Sequence, residues 1–259
     1  MSVETIFRWL DNELVALDYC DMADTTIAVA DSWFVTEGTT LALGLHRDRF
    51  LESMPADARG RTNADAFWDA AIATIPRVGD WFPRVELQQR GDGVLLVFRL
   101  RSAPDRTNNV VVTTWQGDPR TQPRIKGPDV ATMTRIRTSI QPSGAGEAVI
   151  LADGGFVVDG AYSGLLWWRG EILCGPPAEF ERVDSVSVRS VIAMASALGI
   201  ETYGEPVTPS ELDGTELWSL NALHGIRIVT SWLDGPSLAE RPGRLATWRA
   251  RMDALRKPI

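Results

Sequence analysis

Apolar residues recur along this chain at two spacings, and the switches between them mark out its elements. From His46 to Met54 and from Ala64 to Ile75 they return every three or four positions. Phe67, Trp68, Ala71 and Ile75 then share one face, which predicts amphipathic helices. Thr25 to Ala30 is a short apolar run that ends at Asp31. Arg84 to Gln89 and Val94 to Leu100 flank a Gly91-Asp92-Gly93 turn and predict a β-hairpin, and the β-branched stretch Asn109 to Trp115 predicts another strand.

Past Trp115 the chain becomes polar, and Gln116 to Arg124 holds Pro119 and Pro123. This segment reads as a linker between a first part, residues 1–115, and a second, residues 125–259. The second part opens with a helix that has Pro128 in its first turn. Strands follow at Ala148 to Ala152 and Phe156 to Val158, with a hairpin about Arg169-Gly170-Glu171. A helix capped by Ser187 runs to Leu198 and stops at Gly199. Strands Thr215 to Leu220 and Ile226 to Trp232 precede a helix over about Leu238 to Leu255. Tandem Trp167-Trp168 on a strand places one ring inward and one outward. The mixture is α+β, without an internal repeat.

Composition narrows the function classes. At 259 residues and 44% hydrophobic content the chain can build one large core or two modest ones. No apolar run approaches the roughly 18–20 residues that span a bilayer. Met1 to Leu10 carries Glu4 and Arg8 and lacks the apolar stretch of a secretory signal, so a cytoplasmic location is expected. A net charge of −8 without a basic tract argues against a nucleic-acid partner. The two cysteines, Cys20 and Cys174, form no C-x-x-C pair, and the two histidines are His46 and His224. Neither a disulfide nor a metal site is expected.

One count is sharper. Of 26 cationic residues only two are lysines, Lys126 and Lys257. An arginine-biased genome accounts for the scarcity. It does not account for a survivor in mid-chain within Arg124-Ile125-Lys126-Gly127-Pro128. Arginine keeps its proton near neutral pH, so amine chemistry from a side chain would fall to Lys126. Lys257 lies near the terminus, where chains fray.

Five segments, in order, resemble the fold-type IV pyridoxal-phosphate enzymes, which include branched-chain aminotransferases, D-amino-acid aminotransferases and aminodeoxychorismate lyases. His46-Arg47-Asp48-Arg49-Phe50 with Ser53 is similar to H-x-x-R-[LF]-x-x-S, and the resemblance implies that Arg49 holds the cofactor phosphate. Ile125-Lys126-Gly127-Pro128-Asp129 resembles the setting of the Schiff-base lysine. Gly155 to Leu166 resembles G-x-[VI]-x-E-[GA]-x-x-x-N-[LI]-F, with Asp159 in place of the glutamate that pairs with the pyridine nitrogen and Gly164 in place of the asparagine. Ser185-Val186-Ser187-Val188 matches a helix start that binds phosphate, with Ser187 at the family's threonine. Asn221-Ala222-Leu223 is similar to the N-[AS]-L of the lyase branch, which assigns Asn221 and Ala222 to the phosphate site.

Each segment has a plainer reading on its own residues. Taken alone, Arg49 reads rather as a solvated arginine on a surface helix, Lys126 as an ordinary exposed lysine, Asp159 as a turn residue before Gly160, Ser187 as a helix cap and Asn221 as a loop residue. The chain also departs from the family. Ala131 stands where a tyrosine follows the lysine, and Asp31-Ser32-Trp33-Phe34 stands where G-D-G-x-F-E is common. Thr36, by a partial match, and His224 are further candidates for the pocket.

The resemblance implies an α+β fold of type IV, with a smaller N-terminal α/β domain and a larger C-terminal domain around a mixed, barrel-like sheet. It implies pyridoxal 5′-phosphate as cofactor, an amino-acid or amino-chorismate-type substrate, and a homodimer. Catalysis would run through Lys126 as transamination or lyase-type elimination. The alternative is a non-catalytic or merely cofactor-binding homologue, to which the changes at Asp159 and Gly164 point.

Overall fold

The structure is a computed structural model that describes residues 4–17 and 25–259; Cys20 lies outside the described residues. Two compact units emerge. The first comprises Met1–Asp105, Ile125–Val130 and Leu255–Ile259, and the second Arg106–Arg124 with Ala131–Ala254.

The first unit begins with strands β1 (Glu4–Leu10), β2 (Glu13–Ala16), β3 (Thr26–Ser32), β4 (Val35–Thr36) and β5 (Thr39–Thr40). Helices α1 (Leu43–Ser53), α2 (Ala56–Thr62) and α3 (Ala64–Thr74) follow, then β6 (Asp80–Trp81), β7 (Arg84–Arg90) and β8 (Gly93–Arg101). The main sheet is antiparallel with the order β2-β1-β8-β7-β3. Val85 pairs with Phe98 and Leu87 with Leu96, and all four are buried in one core with Phe50, Phe67, Trp68 and Ala71. The period-2 face of the hairpin therefore meets the period-3.6 faces of α1 and α3, as the spacing predicts. Strands β1 and β2 are additions to the sequence reading. Phe7 and Trp9 pack on this core, but one such pair among charged neighbours makes a weak alternation.

The second unit contains β9 (Asn109–Trp115), α4 (Val130–Ile140, from its second residue onward), β10 (Glu147–Leu151), β11 (Val157–Gly160), β12 (Gly164–Arg169) and β13 (Ile172–Gly175). Next come α5 (Val186–Ala197), β14 (Thr202–Gly204), β15 (Glu216–Asn221), β16 (Gly225–Leu233) and α6 (Arg244–Asp253). Its eight strands form one sheet, β11-β10-β9-β16-β15-β12-β13-β14. The β10–β9, β9–β16 and β13–β14 pairs are parallel and the others antiparallel, so the sheet is mixed; it curls as a half-barrel. A last strand, β17 (Lys257–Pro258), returns to the first unit and pairs with β5.

Several expectations change. β9 does not close the first part: its partners β10 and β16 belong to the second unit, so the division falls after Asp105. Gln116–Arg124 also belongs to the second unit, while Lys126 belongs to the first. The cap of α5 is Ser185, not Ser187: the Ser185 side chain accepts a hydrogen bond from the Val188 N–H at 3.3 Å. The last helix starts at Arg244, later than expected, because Pro242 and the left-handed Gly243 (φ 80°) precede it. Trp167 and Trp168 do point to opposite faces of β12, yet both are buried. The Trp167 face joins the core with Val110 and Leu212, and Trp168 sits edge-on to Trp218 and Trp248 at 5.4 and 5.6 Å between centroids. Among the described residues no helix is long and apolar enough to cross a membrane.

Candidate active site

In the first unit, the chemistry gathers around the end of β3. His46 and Arg49 are three residues apart on α1 and so share a face. Both reach the carboxylate of Asp31, which is fully buried. Arg49 donates from Nε to Oδ2 at 2.7 Å and from Nη2 to Oδ1 at 2.8 Å. His46 Nδ1 lies 2.8 Å from Oδ1, and the Ser32 N–H donates to the same oxygen at 2.7 Å. Burial alone would raise this carboxyl, but Arg49 and His46 outweigh it and hold Asp31 well below the usual carboxylate range. Burial pushes the His46 imidazole below its ordinary value against the pull of Asp31, so it is neutral at pH 7 and donates from Nδ1.

Lys126 is fastened to the same strand. The Ala30 N–H donates to the Lys126 carbonyl at 2.6 Å. The next residue, Gly127, has φ +143°, and a Cβ there would sit 2.8 Å from the Val29 Cα. Only glycine lets the lysine segment lie this close to β3. The Lys126 amine is pushed down to about 8, first by burial and then by Arg49, with Arg84 and Arg101 adding to the effect and Asp31 opposing it.

In the second unit Asp159 lies on β11, opposite Ile150. The turn that follows is held by a buried carboxylate, Glu147. It accepts the N–H groups of Ala148 (3.1 Å) and Tyr162 (3.2 Å) and the Ser163 hydroxyl (2.7 Å). Ser219 donates to Ser163 at 2.9 Å, and Arg227 donates to Ser219 at 3.1 Å. Asp159 itself has a thinner set of partners. Its own Gly160 N–H donates to it at 3.1 Å, and Arg120 Nη1 stands 3.7 Å away while that guanidinium bonds Asp118 at 2.7 and 2.8 Å. Burial therefore prevails over Arg120 and Arg182, and the Asp159 carboxyl is raised to about 7.

The turn, the start of α5 and the end of β15 converge at Gly164. It pairs with Leu220, the neighbour of Asn221, and a Cβ at Gly164 would lie 2.5 Å from Val188 Cγ2 and 3.4 Å from Ser185 Cβ. Ser187 is buried in the first turn of α5, which carries no acidic residue. Asn221 accepts the His224 N–H through Oδ1 at 2.8 Å, and Ala222 is half-buried beside it.

A model of the family described as "Amino-transferase class IV" matches residues 24–232. The chain belongs to this family. It is an enzyme by that membership. No curated protein matches it in sequence. Solved structures do. A fold IV-transaminase from Curtobacterium pusillum is 16% identical, with a TM-score of 0.77 and 97% of each chain covered. The PLP-bound form of a hypothetical aminotransferase from Mycobacterium tuberculosis is also 16% identical, with a TM-score of 0.75 and 98% of each chain covered. A putative 4-amino-4-deoxychorismate lyase from Legionella pneumophila is 14% identical, with a TM-score of 0.71, over 86% of this chain and 90% of that one. At such identities the likeness establishes the fold.

For this class IV chain, the residues match the needs of pyridoxal 5′-phosphate on three counts. Lys126 is half-buried and offers an amine with a depressed pKa. Asp159 is a buried acid titrating near neutrality, to which a protonated ring nitrogen would be a good partner. The start of α5 presents backbone donors to an anion. Arg49 differs from the expected picture, since the Nε–Nη2 edge of its guanidinium is taken by Asp31. In the first unit Lys126 and Arg49 are brought together through β3; in the second, Gly164 on β12 meets Leu220 of β15 and lies against Ser185 and Val188 at the start of α5, the segments that carry Asn221 and Ser187. Thr36 sits on the short strand β4. His224 has a structural post: its Nδ1 accepts the Thr107 N–H at 3.1 Å, and burial together with nearby arginines lowers it to about 4. The sequence reading passed over Asp31 as a ligand of Arg49, and Glu147, Ser163, Arg120 and Arg227 altogether. The only sequence signal for Asp31 and Glu147 is a carboxylate adjoining an apolar strand.

Proposed function

We propose that this class IV enzyme uses pyridoxal 5′-phosphate to transform an amino acid or an amino-chorismate-type substrate, with Lys126 as the residue that carries the cofactor. The observation that carries the reading is Lys126, a half-buried residue whose main chain is held against β3 and whose amine is lowered to about 8. The bound cofactor supplies an electron sink for the carbanion formed when a substrate loses its Cα proton. Lys126 takes that proton, since an amine half-ionised near neutral pH both accepts and returns protons efficiently. Asp159 holds a proton at the ring nitrogen. Arg49, Ser187 and Asn221, with the main chain at Ala222, hold the phosphate. Between transamination and elimination, Asn221-Ala222-Leu223 supports the lyase-type outcome. A homodimer, carried by the family resemblance, and a cytoplasmic location, carried by the composition, complete the reading.

The test is chemical. Purified protein should be yellow, and borohydride should bleach the band and leave a pyridoxyl label on Lys126. Lys126→Ala should stay folded and lose the band, with turnover falling by about 10²–10⁴-fold or more. A label on Lys257 would overturn the assignment. A panel of L- and D-amino acids with aminodeoxychorismate would then divide transaminase from lyase.

A further inference from the structure

Asp31 has no part in the chemistry above, yet it is wholly buried and makes four hydrogen bonds. We propose that Asp31 is a positioning residue, which fixes the direction of the Arg49 guanidinium and ties it to the segment that bears Lys126. The proposal rests on the reading that Arg49 holds the cofactor phosphate.

The geometry is that of a clamp. A guanidinium is planar, and two parallel bonds to one carboxylate fix both its plane and its heading. Asp31 supplies both, to Nε and Nη2, from a wholly buried position. The clamp is itself fixed by the Ser32 N–H, by His46 Nδ1 and by the pairing of Asp31 with Val85 on β7. One residue earlier, Ala30 bonds the Lys126 carbonyl, and Gly127 packs on Val29. Three consecutive residues of β3 thus hold both the lysine segment and the arginine. An arginine oriented before the ligand arrives does not lose rotamer freedom on binding it.

Charge makes the same residue necessary. The charged groups that act on the Lys126 amine are Arg49 from α1, Arg84 from β7, Arg101 from β8 and Asp31 from β3, with a neutral His46 beside them. Asp31 is the only anion of that set. Without it, Arg49 would act on the amine with no carboxylate of that set against it, while Arg84 keeps its ion pair with Glu86 at 2.8 Å.

Asp31→Asn, Asp31→Glu and Arg49→Ala separate these effects. Two quantities are read: the ratio of dissociation constants for pyridoxal and pyridoxal 5′-phosphate, and the pH at which Lys126 in cofactor-free protein is half-reactive toward an amine label, followed by mass spectrometry. With two lysines in the chain the label is simple to assign. Arg49→Ala should cut the preference for the phosphorylated form by about tenfold or more, equivalent to roughly 1.4 kcal/mol. Asp31→Asn should lose most of that same preference although Arg49 remains, and should move the Lys126 midpoint below about 8. Asp31→Glu keeps the charge and shifts the clamp by one methylene; it should lose part of the preference and keep the midpoint. Wild-type preference in a folded Asp31→Asn, or in Asp31→Glu should the asparagine variant fail to fold, overturns the proposal. Wild-type preference in Arg49→Ala overturns the phosphate reading instead.

Discussion

Asp31 and Asp159 are the same side chain in two buried settings, one in each unit, and they titrate in opposite directions. Asp31 lies below the usual carboxylate range and Asp159 is raised to about 7. Burial disfavours the charge on both. The difference lies in the neighbours: Arg49 meets Asp31 with two bonds under 3 Å and His46 adds a third, whereas Arg120 turns its own pair of bonds to Asp118 and stands 3.7 Å from Asp159, which also faces the acid Glu147. Depth therefore does not decide the charge of a buried acid; the geometry of its counter-ion does. The first arrangement suits a fixed anion that orients other groups. The second suits an acid that exchanges a proton with a ligand.

The sharpest way to break this comparison is to neutralise each acid in turn and measure stability. Asp31→Asn removes the buried negative charge that pairs with the Arg49 guanidinium and should cost about 3–5 kcal/mol. Asp159→Asn should cost little at pH 8 and can stabilise. The pH dependence follows with opposite signs. Asp31 is depressed in the fold, so its contribution is present above the ordinary carboxylate range and is lost as pH falls through its folded value. Asp159 is raised in the fold, so between about 4 and 7 the native state binds the extra proton and stability should fall as pH rises, by up to about 1.4 kcal/mol per pH unit. Urea melts of the cofactor-free protein at a series of pH values check both, and a flat profile in the Asp159→Asn difference would remove the contrast.

On catalysis, Asp159→Asn should leave cofactor binding intact and lower turnover by at least about tenfold, roughly 1.4 kcal/mol of barrier. Asp159→Glu, the family's residue, should retain activity if β11 accommodates the extra methylene. Wild-type turnover in the asparagine variant would reduce Asp159 to a turn residue.

A smaller effect probes why the second unit departs from its family. Gly164→Asn restores the usual residue but drives a Cβ to 2.5 Å from Val188 Cγ2, so it should destabilise by about 1–3 kcal/mol rather than improve the site. Smallest is Ser185→Ala, which removes the cap of α5 at a cost of about 1 kcal/mol; a thermal melt suffices to check it.

Much of this was legible in the chain alone. The period of apolar residues located α1, α3, β7, β8 and β9 to within a few positions, because a half-buried helix or hairpin must repeat its apolar residues at its own pitch. The scarcity of lysine singled out Lys126, because an arginine cannot do an amine's work. What only the tertiary structure decided depends on contacts distant in sequence. Strand β9 belongs to the second unit because of parallel partners that no local pattern announces. Asp31 and Arg49 are 18 residues apart, and Asp159 and Arg120 are 39 apart (159 − 120). Sequence supplies the acids and the guanidinium groups; the fold determines whether each pair meets at 2.7 or 3.7 Å, and that distance sets the charge each acid carries.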